Sequence, residues 1–452
     1  MSHASDALEI ARAGIRAVDP ALAVRTGFRS GAVDRWLGRR KGAIHIVAIG
    51  KAAGPMAMAA AAELGARLAG GVAVVREAET VLPSSVGRLV GSHPLPTGAS
   101  FRAGAAVLSY VGHLTPLDRV LFLISGGGSS LAESPADGVG LSAVRRTTEA
   151  LLASGAPIQS MNSIRRHLSA LKGGRLAAAT GAARWTTFAI SDVVGDAPEE
   201  VASGPTVEDP TTFADAQTAV ERYGLTDRLP PAVLRHLEEG AAGRHVETIK
   251  PGDPRLAGGR FQFVATNRLA LRGAAAEAVR RGFRVVVTSG HLTGETLPVG
   301  TAFAGKVSRI RSGRPVALLA GGETTVTLTE HSGTGGRNQE FALAGAPVLD
   351  GKAGRLVLSI GTDGVDGPTD AAGGWSDGQT MAKARALGID VIARLARHDA
   401  YPTLEALGQL VRTGPTGTNV MDLHVGLAVP ASPKRSVPRR AARRAGRPEN
   451  SR

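Results

Sequence analysis

LFLISGGGSSLAES spans residues 121 to 134. Four apolar residues run straight into Ser125, three glycines follow, and Ser129 and Ser130 close the loop. A short unbroken apolar run bounded by glycine is the signature of a strand covered on both faces. Such a strand belongs to a parallel sheet, so the stretch points to an α/β fold. The loop carries the second signal. Gly126, Gly127 and Gly128 can take positive φ and offer consecutive backbone N–H groups to an anion, and Ser129 and Ser130 add hydroxyl donors. A phosphate cradle and a flexible surface turn both fit the loop taken alone. Its spacing matches neither the P-loop nor the dinucleotide fingerprint.

The same pattern recurs outward in both directions. HIVAIG (45–50), GVAVV (71–75), FAIS (188–191), FQFVAT (261–266), FRVVVTS (283–289), VALLAGG (316–322) and LVLSIGTDG (356–364) are apolar runs closed by polar or glycine-rich residues. Helical periodicity lies between them, at 52–68 and 268–281 for example. The expected fold is α/β, with two domains of largely parallel sheets flanked by helices, the N-terminal one Rossmann-like. A length of 452 residues suits two domains. The stretch 236–260, HLEEGAAGRHVETIKPGDPRLAGGR, loses periodicity and gathers Gly, Pro and charge. It divides an N-terminal unit at 5–240 from a C-terminal unit at 250–428.

Composition excludes several classes of function. The chain has no cysteine, which rules out disulfides, thiolate metal sites and cysteine nucleophiles and is compatible with a reducing compartment. MSHASDALEIARAGIRAVDP (1–20) reads as an amphipathic helix and not as a signal peptide. No apolar stretch approaches about 18 residues, so no membrane span is expected and the cytoplasm is the expected location. Residues 433–452 hold eight Lys or Arg and one Glu, half of the net charge of +14. This segment, 430–452 with its three preceding residues, is a basic tail too poor in apolar residues to fold alone. Nonspecific contact through it is the one nucleic-acid role expected.

Five further loops carry chemistry-bearing residues, each placed where open α/β sheets bind ligands, beyond the carboxyl ends of strands. In AIGKAAGPMA (48–57), Lys51 stands between a strand end and a helix start, either as a phosphate-binding cation or as a solvated lysine. MNSIRRHLSALKGGRLAAAT (161–180) gathers Arg165, Arg166, Lys172 and Arg175 around Gly173–Gly174. ISDVVGDAPEEVASGPTVEDPTT (190–212) puts Asp192 directly after a strand, suited to a general base or to Mg²⁺. Its long meander needs something to hold it. In GGETTVTLTEHSGTGGRNQEFALA (321–344), Glu323 ends a strand and Arg337 opens a helix, where its charge opposes the helix dipole unless an anion is present. SIGTDGVDGPTDAAGGWSDG (359–378) brings Asp363, Asp366, Asp370 and Asp377, as Mg²⁺ ligands or as turn formers. His93 and His291 are lone histidines, which more often serve structure than catalysis.

Nine strings in order resemble the glycerate 2-kinase family, whose C-terminal domain is of the MOFRL type: AIGKAA, GSHPLP, LISGGGSSL, IRRHLSALKGGRLA, ISDVVGDAPEEVASGPTVEDPTT, GGETTVTL, GGRNQEFAL, GTDGVDGPTDAAG and TGPTGTNVMDL. The resemblance covers Ala48 to about Leu427 and departs at VVVTSGHLTGET (285–296). It implies ATP-dependent phosphorylation of D-glycerate at the 2-hydroxyl, Mg²⁺, and an active site between two domains. It also implies catalytic roles for Lys51, Asp192 and Arg337. We assign Ser125, Gly126, Gly127, Gly128, Ser129, Ser130, Lys172, Glu323 and Asn338 to binding of ATP, and Asp363 and Asp366 to the metal. No membrane partner is expected, and a homodimer is the assembly left open. Two other classes remain in view: an NAD(P)H-dependent hydroxypyruvate reductase, which would need a GxGxxG that the chain lacks, and a non-catalytic module binding phosphorylated acids.

Overall fold

The computed structural model describes residues 2–31, 43–180 and 184–430; the basic tail from residue 431 lies outside them. Twelve strands in the described residues form two sheets. The first comprises β1 (Ile44–Ile49), β2 (Leu68–Val75), β3 (Val86–Val90), β4 (Arg119–Ile124), β5 (Arg184–Ile190) and β6 (Gly259–Ala265). Its order is β3-β2-β1-β4-β5-β6 and every pairing is parallel. That is the dinucleotide-fold order, so the expected Rossmann-like lobe is present. Strand order reverses between β1 and β4, and the crevice at this switch point is where ligands bind. The loops that leave it carry Lys51 and the SGGGSS stretch.

The second sheet comprises β7 (Arg284–Leu292), β8 (Val316–Gly322), β9 (Arg355–Gly361), β10 (Gly373–Asp377), β11 (Leu410–Val411) and β12 (Asp422–Ala428), in the order β11-β10-β9-β12-β8-β7. Here the expectation of a largely parallel sheet gives way to a mixed one. Only β7 and β8 run parallel; β8–β12, β12–β9, β9–β10 and β10–β11 are antiparallel. The reason is β12, DLHVGLA, fully buried and inserted between β8 and β9. Its direction puts its first residue, Asp422, at the same edge as the carboxyl ends of β8 and β9.

The expected units of 5–240 and 250–428 do not coincide with the two sheets. β6, beyond the glycine- and proline-rich stretch, pairs with β5 and completes the first sheet. That stretch closes a helical excursion whose core packs Val144, Leu151, Phe213, Val220 and Leu237 together. Conversely, the helix His3–Ala17 packs under the second sheet. Its buried stripe of Ala7, Ile10, Ala11 and Gly14 lies on the helix Asn267–Arg280. A Cβ at Gly14 would stand 2.7 Å from Leu423 Cδ1. The next helix, Pro20–Arg29, returns to the first lobe, with Gly27 against Phe188 and Val264. Thr418 Oγ1 donates to Val18 O at 2.9 Å where the chain crosses between the two. One apolar cluster therefore runs from Ile44 and Phe188 in one sheet through Ile10 and Val24 to Leu358 and Val425 in the other. No helix among the described residues is long and apolar enough to cross a membrane.

Because Ile10 is fully buried in this shared cluster, Ile10→Ala is expected to cost about 2–5 kcal/mol. Urea titration should show that loss with both lobes unfolding together; a second-lobe transition separated from an unchanged first-lobe one would contradict the shared core.

Candidate active site

Asp192, Gly126 and Lys51 meet at the switch point. Lys51 N donates to Gly126 O at 3.0 Å, and Ala52 N donates to Ser125 Oγ at 3.0 Å, so the loops after β1 and β4 are stitched together. Ser125 is almost fully buried in this clamp and does not line a cavity. Gly50 and Gly126 are glycine for steric reasons. A Cβ at Gly50 would overlap Ser125, and one at Gly126 would overlap the Asp192 carboxylate. Gly127 has φ +78° and lies against the side chains of His93 and Lys51. Gly128 opens a four-residue helix, packed against Ala202.

A cavity of about 360 Å³ opens beside these loops, lined among others by His93, Gly127, Ser129, Ser130, Arg165 and Asp192. Its floor is a polar chain. Ser129 Oγ meets Ser203 Oγ at 3.0 Å, Ser203 donates to Asn162 Oδ1 at 3.0 Å, and Asn162 donates to Glu200 at 2.6 Å. The long 190–212 loop is held, as its length required. Arg166 bridges Glu199 O (3.0 Å), Glu200 (3.3 Å) and Asp209 (3.0 Å). Gly173 N and Gly174 N bond Ser203 O and Gly204 O. Ala202 and Ser203 are both left-handed non-glycine residues, strain that the surrounding bonds must sustain.

The neighbouring helix supplies Arg165, which forms no hydrogen bond or ion pair with a described residue and faces the cavity. Lys172 departs from its expected role. It is buried and paired with Glu133, which leaves it outside the cavity lining; burial pulls its pKa down and Glu133 opposes the shift.

The second lobe closes the cleft with Glu323, which lines both this cavity and a neighbouring one of about 390 Å³ walled by Thr324, Leu328, Gly336, Arg337 and Pro368. Arg337 is gripped by carboxylates. Nε and a terminal nitrogen bond Asp422 at 2.7 and 3.0 Å, and Glu323 lies 3.1 Å away. The anion that its position at a helix start calls for is thus supplied by the protein itself. Asp422 is fully buried and escaped the sequence reading; the one signal was an acidic residue opening an unrecognised strand.

Asn338 and Asp366 also serve the scaffold. Asp366 accepts from Asn338 N (3.0 Å), Asn338 Nδ2 (3.2 Å) and Gln339 N (2.9 Å), capping the helix Arg337–Ala344. Three of its about four lone-pair sites are thus taken up by the scaffold and the residue is almost fully buried, which argues against the expected metal role. Asn338 is fully buried, donating to Asp422 and accepting from Ser359. The Asp363 carboxylate accepts from Val365 N alone among the described residues, at 3.2 Å. No group of three or more metal-ligating side chains in binding geometry occurs among the described residues.

The carboxylates feel one another across the cleft. Loss of hydration pushes Asp192 up to about 6, with Lys51 pulling down and Asp363 pushing up. Loss of hydration raises Glu323 to about 7, against Arg337 and with the charges of Asp422, Asp192 and Asp363. His93 falls to about 4 through burial and the cations Lys51, Arg76 and Arg165, so it is neutral at pH 7. These perturbed groups come from both lobes and converge on one cleft, an arrangement suited to anion binding and proton transfer.

The chain is similar to known proteins over most of its length. Residues 6–238 match a domain of unknown function, DUF4147, and residues 316–422 match the MOFRL family. A glycerate 2-kinase of Pyrococcus horikoshii is 40% identical over 396 residues, covering 86% of this chain and 88% of that one. A protein of Agrobacterium vitis provisionally named hydroxypyruvate reductase is 41% identical over 417 residues, 91% of each chain. The crystal structure of a glycerate kinase from Thermotoga maritima superposes with a TM-score of 0.82 at 36% identity, covering 94% of this chain and 99% of that one.

Gly126→Ala tests the geometry. Its methyl must displace the Asp192 carboxylate, and a shift of about 1 Å at such a group lowers turnover about 100-fold. Turnover within threefold of the parent would place Asp192 outside the chemistry.

Proposed function

Because this chain belongs to the glycerate 2-kinase family, we propose that it transfers the γ-phosphoryl group of ATP to the 2-hydroxyl of D-glycerate, giving 2-phosphoglycerate in the cleft between the lobes. The observation that carries this reading is the convergence of Asp192 from one lobe and Glu323 from the other on one polar cavity, with Lys51 packed beside it at Gly127 and Arg337 ion-paired to Glu323. Phosphoryl transfer asks little covalent chemistry of a protein; it needs positioning and charge compensation.

D-Glycerate occupies the first cavity, its carboxylate on Arg165, the one cation lining that cavity. Ser129, Ser130 and the backbone at Gly127 receive the transferred phosphoryl group. Lys51, beside Gly127, offsets the charge developing on it. Asp192 orients the 2-hydroxyl and takes its proton: with a pKa near 6 it is ionised at neutral pH, yet more basic than an ordinary carboxylate. Arg337, fixed by Asp422, presents its charge from the opposite wall. Mg²⁺ typically rides on nucleotide phosphates with only one or two protein carboxylates, and Asp363, with one oxygen unengaged, would fit that requirement. When bound it supplies charge neutralisation on the phosphates.

The reductase reading fares less well. The loop after β1 reads Gly50-Lys51-Ala52-Ala53-Gly54-Pro55, so with Gly50 as the first glycine of the dinucleotide fingerprint, Ala52 and Pro55 stand where the other two belong.

Three measurements test the proposal. D-Glycerate and Mg-ATP coupled to enolase, with no phosphoglycerate mutase, should give signal; ADP without enolase signal would mean the 3-phospho product, and NADH oxidation by hydroxypyruvate without ATP would favour the reductase. Lys51→Ala, Asp192→Ala and Arg337→Ala should each lower kcat/KM by at least about 100-fold. Third, the raised pKa of Asp192 fixes a sign. Its charged form is disfavoured in the fold, so it destabilises the protein progressively as pH rises from about 4 to about 6 and in full above that, and the effect vanishes only below about pH 3, where both states are protonated. Asp192→Asn should therefore raise the thermal midpoint at pH 7.5 and leave it nearly unchanged near pH 3. In the parent, kcat/KM should fall on the acid side with a midpoint near 6.

A further inference from the structure

A cavity of about 590 Å³ lies against the back of the catalytic loop, where the first lobe meets β7. Arg268, Arg272, His291, Leu271, Val287 and Met421 are among its lining residues. The loop after β5 is the shared wall: Asp192, Val193 and Val194 face the first cavity, and Gly195 and Asp196 face this one. Met421 immediately precedes Asp422, which grips Arg337. The cavity thus adjoins the reacting groups, although no role described so far uses it.

Its charge calls for an anion. Arg268 and Arg272 stand one turn apart on the first two turns of the helix Asn267–Arg280, whose first turn holds no acidic residue. Cations there oppose the helix dipole. Arg337 has the same problem, and Asp422 and Glu323 answer it. Arg268 and Arg272 have no such answer: neither forms a hydrogen bond or ion pair with a described residue. The one acidic lining residue, Asp196, sits at φ +54°, and its carboxylate likewise makes no hydrogen bond, with Oδ1 buried and unpartnered. The cavity beside Arg337 is the opposite case. Glu323, Glu340 and Asp366 line it, and its Arg337 guanidinium is already paired with Glu323 and Asp422.

Size and composition narrow the ligand. The volume far exceeds that of a three-carbon acid and lies in the range of sites for drug-sized molecules. Leu271, Ala275, Val287 and Met421 give an apolar surface for a flat ring. Two guanidinium groups without a partner among the described residues suit phosphate oxygens. An unpartnered carboxylate suits a ribose hydroxyl or an exocyclic amine. We propose that this cavity binds a nucleoside phosphate, with its phosphates on Arg268 and Arg272, its base over Leu271 and Val287, and its ribose or base amine toward Asp196. The nucleotide is either the phosphate donor itself, an assignment that rests on the kinase reading, or a second nucleotide acting through the Asp192 loop.

Calorimetry with ADP on the full chain, without glycerate, tests binding independently of any activity. Arg268 and Arg272 are exposed, so Arg268→Ala/Arg272→Ala should fold, and it should bind ADP at least about tenfold more weakly at one site. Val287→Asp, at a half-exposed position on the sheet edge, should weaken ADP without touching either arginine. If the cavity holds the donor, KM for ATP rises about tenfold or more while kcat and KM for D-glycerate stay within about threefold. If it holds a second nucleotide, ADP stoichiometry falls from two to one and KM for ATP is unchanged. Parent-like ADP affinity and stoichiometry in both folded variants overturns the proposal. Failure of the kinase reading alone would instead appear as ADP binding that is intact in the parent and lost in the variants, with no product from D-glycerate.

Discussion

The contact between Asp192 and the α-carbon of Gly126 fixes the rest of the site. Any side chain at residue 126 would occupy the space of the carboxylate. The glycines of the SGGGSS loop therefore answer two demands at once. Gly126 yields room to Asp192, and Gly127, at φ +78°, turns the chain between Lys51 and His93. The close approach also strips water from the carboxylate, and that loss of hydration is what raises its pKa. Steric and electrostatic requirements are the same requirement here: a base tuned by burial needs a neighbour without a side chain.

The second lobe reaches this point through a chain of buried polar contacts rather than through a flexible hinge. Ser359 on β9 orients Asn338; Asn338 and Arg337 bind Asp422 on β12; Arg337 reaches Glu323 at the end of β8. Leaving any buried member of such a chain unpaired is costly, so the chain holds one arrangement. The apolar cluster shared by both sheets works in the same direction. The helix His3–Ala17 packs on the second lobe although it lies at the start of the sequence, and so ties the two lobes together through the shared cluster.

What the sequence made legible follows from physics that is local. Uninterrupted apolar runs announced β1, β4, β5 and β8, and glycine-rich loops after them announced where ligands bind. Lys51, Asp192, Ser129 and Ser130 needed no more than that, since each follows its strand directly. The residues misread are those whose roles are settled by partners distant in the chain. Lys172 looked like a phosphate ligand until Glu133, 39 residues earlier, met it in the interior. Asp366 looked like a metal ligand, but the helix that it caps begins 29 residues before it. Asp422 was invisible because DLHVGLA carries histidine and glycine among its apolar residues and did not read as a strand, although it is the strand that turns the second sheet antiparallel.

Strand order by itself argues for a nucleotide cofactor that the loops argue against. The first sheet has the arrangement that binds dinucleotides in redox enzymes, and one relative bears a reductase's name. A dinucleotide needs a bare backbone after β1 so that its pyrophosphate can lie on the helix start. Here Lys51 occupies that position, and the bare backbone has moved to the loop after β4, where Asp192 and a polar floor of Ser129, Ser203 and Asn162 surround it. A hydride carrier gains nothing from a cation and a carboxylate converging on so small a polar space. A phosphoryl group in transit, charged on all sides and attacked by an alcohol, needs both. Fold is shared between the two chemistries, and the side chain after Gly50 separates them.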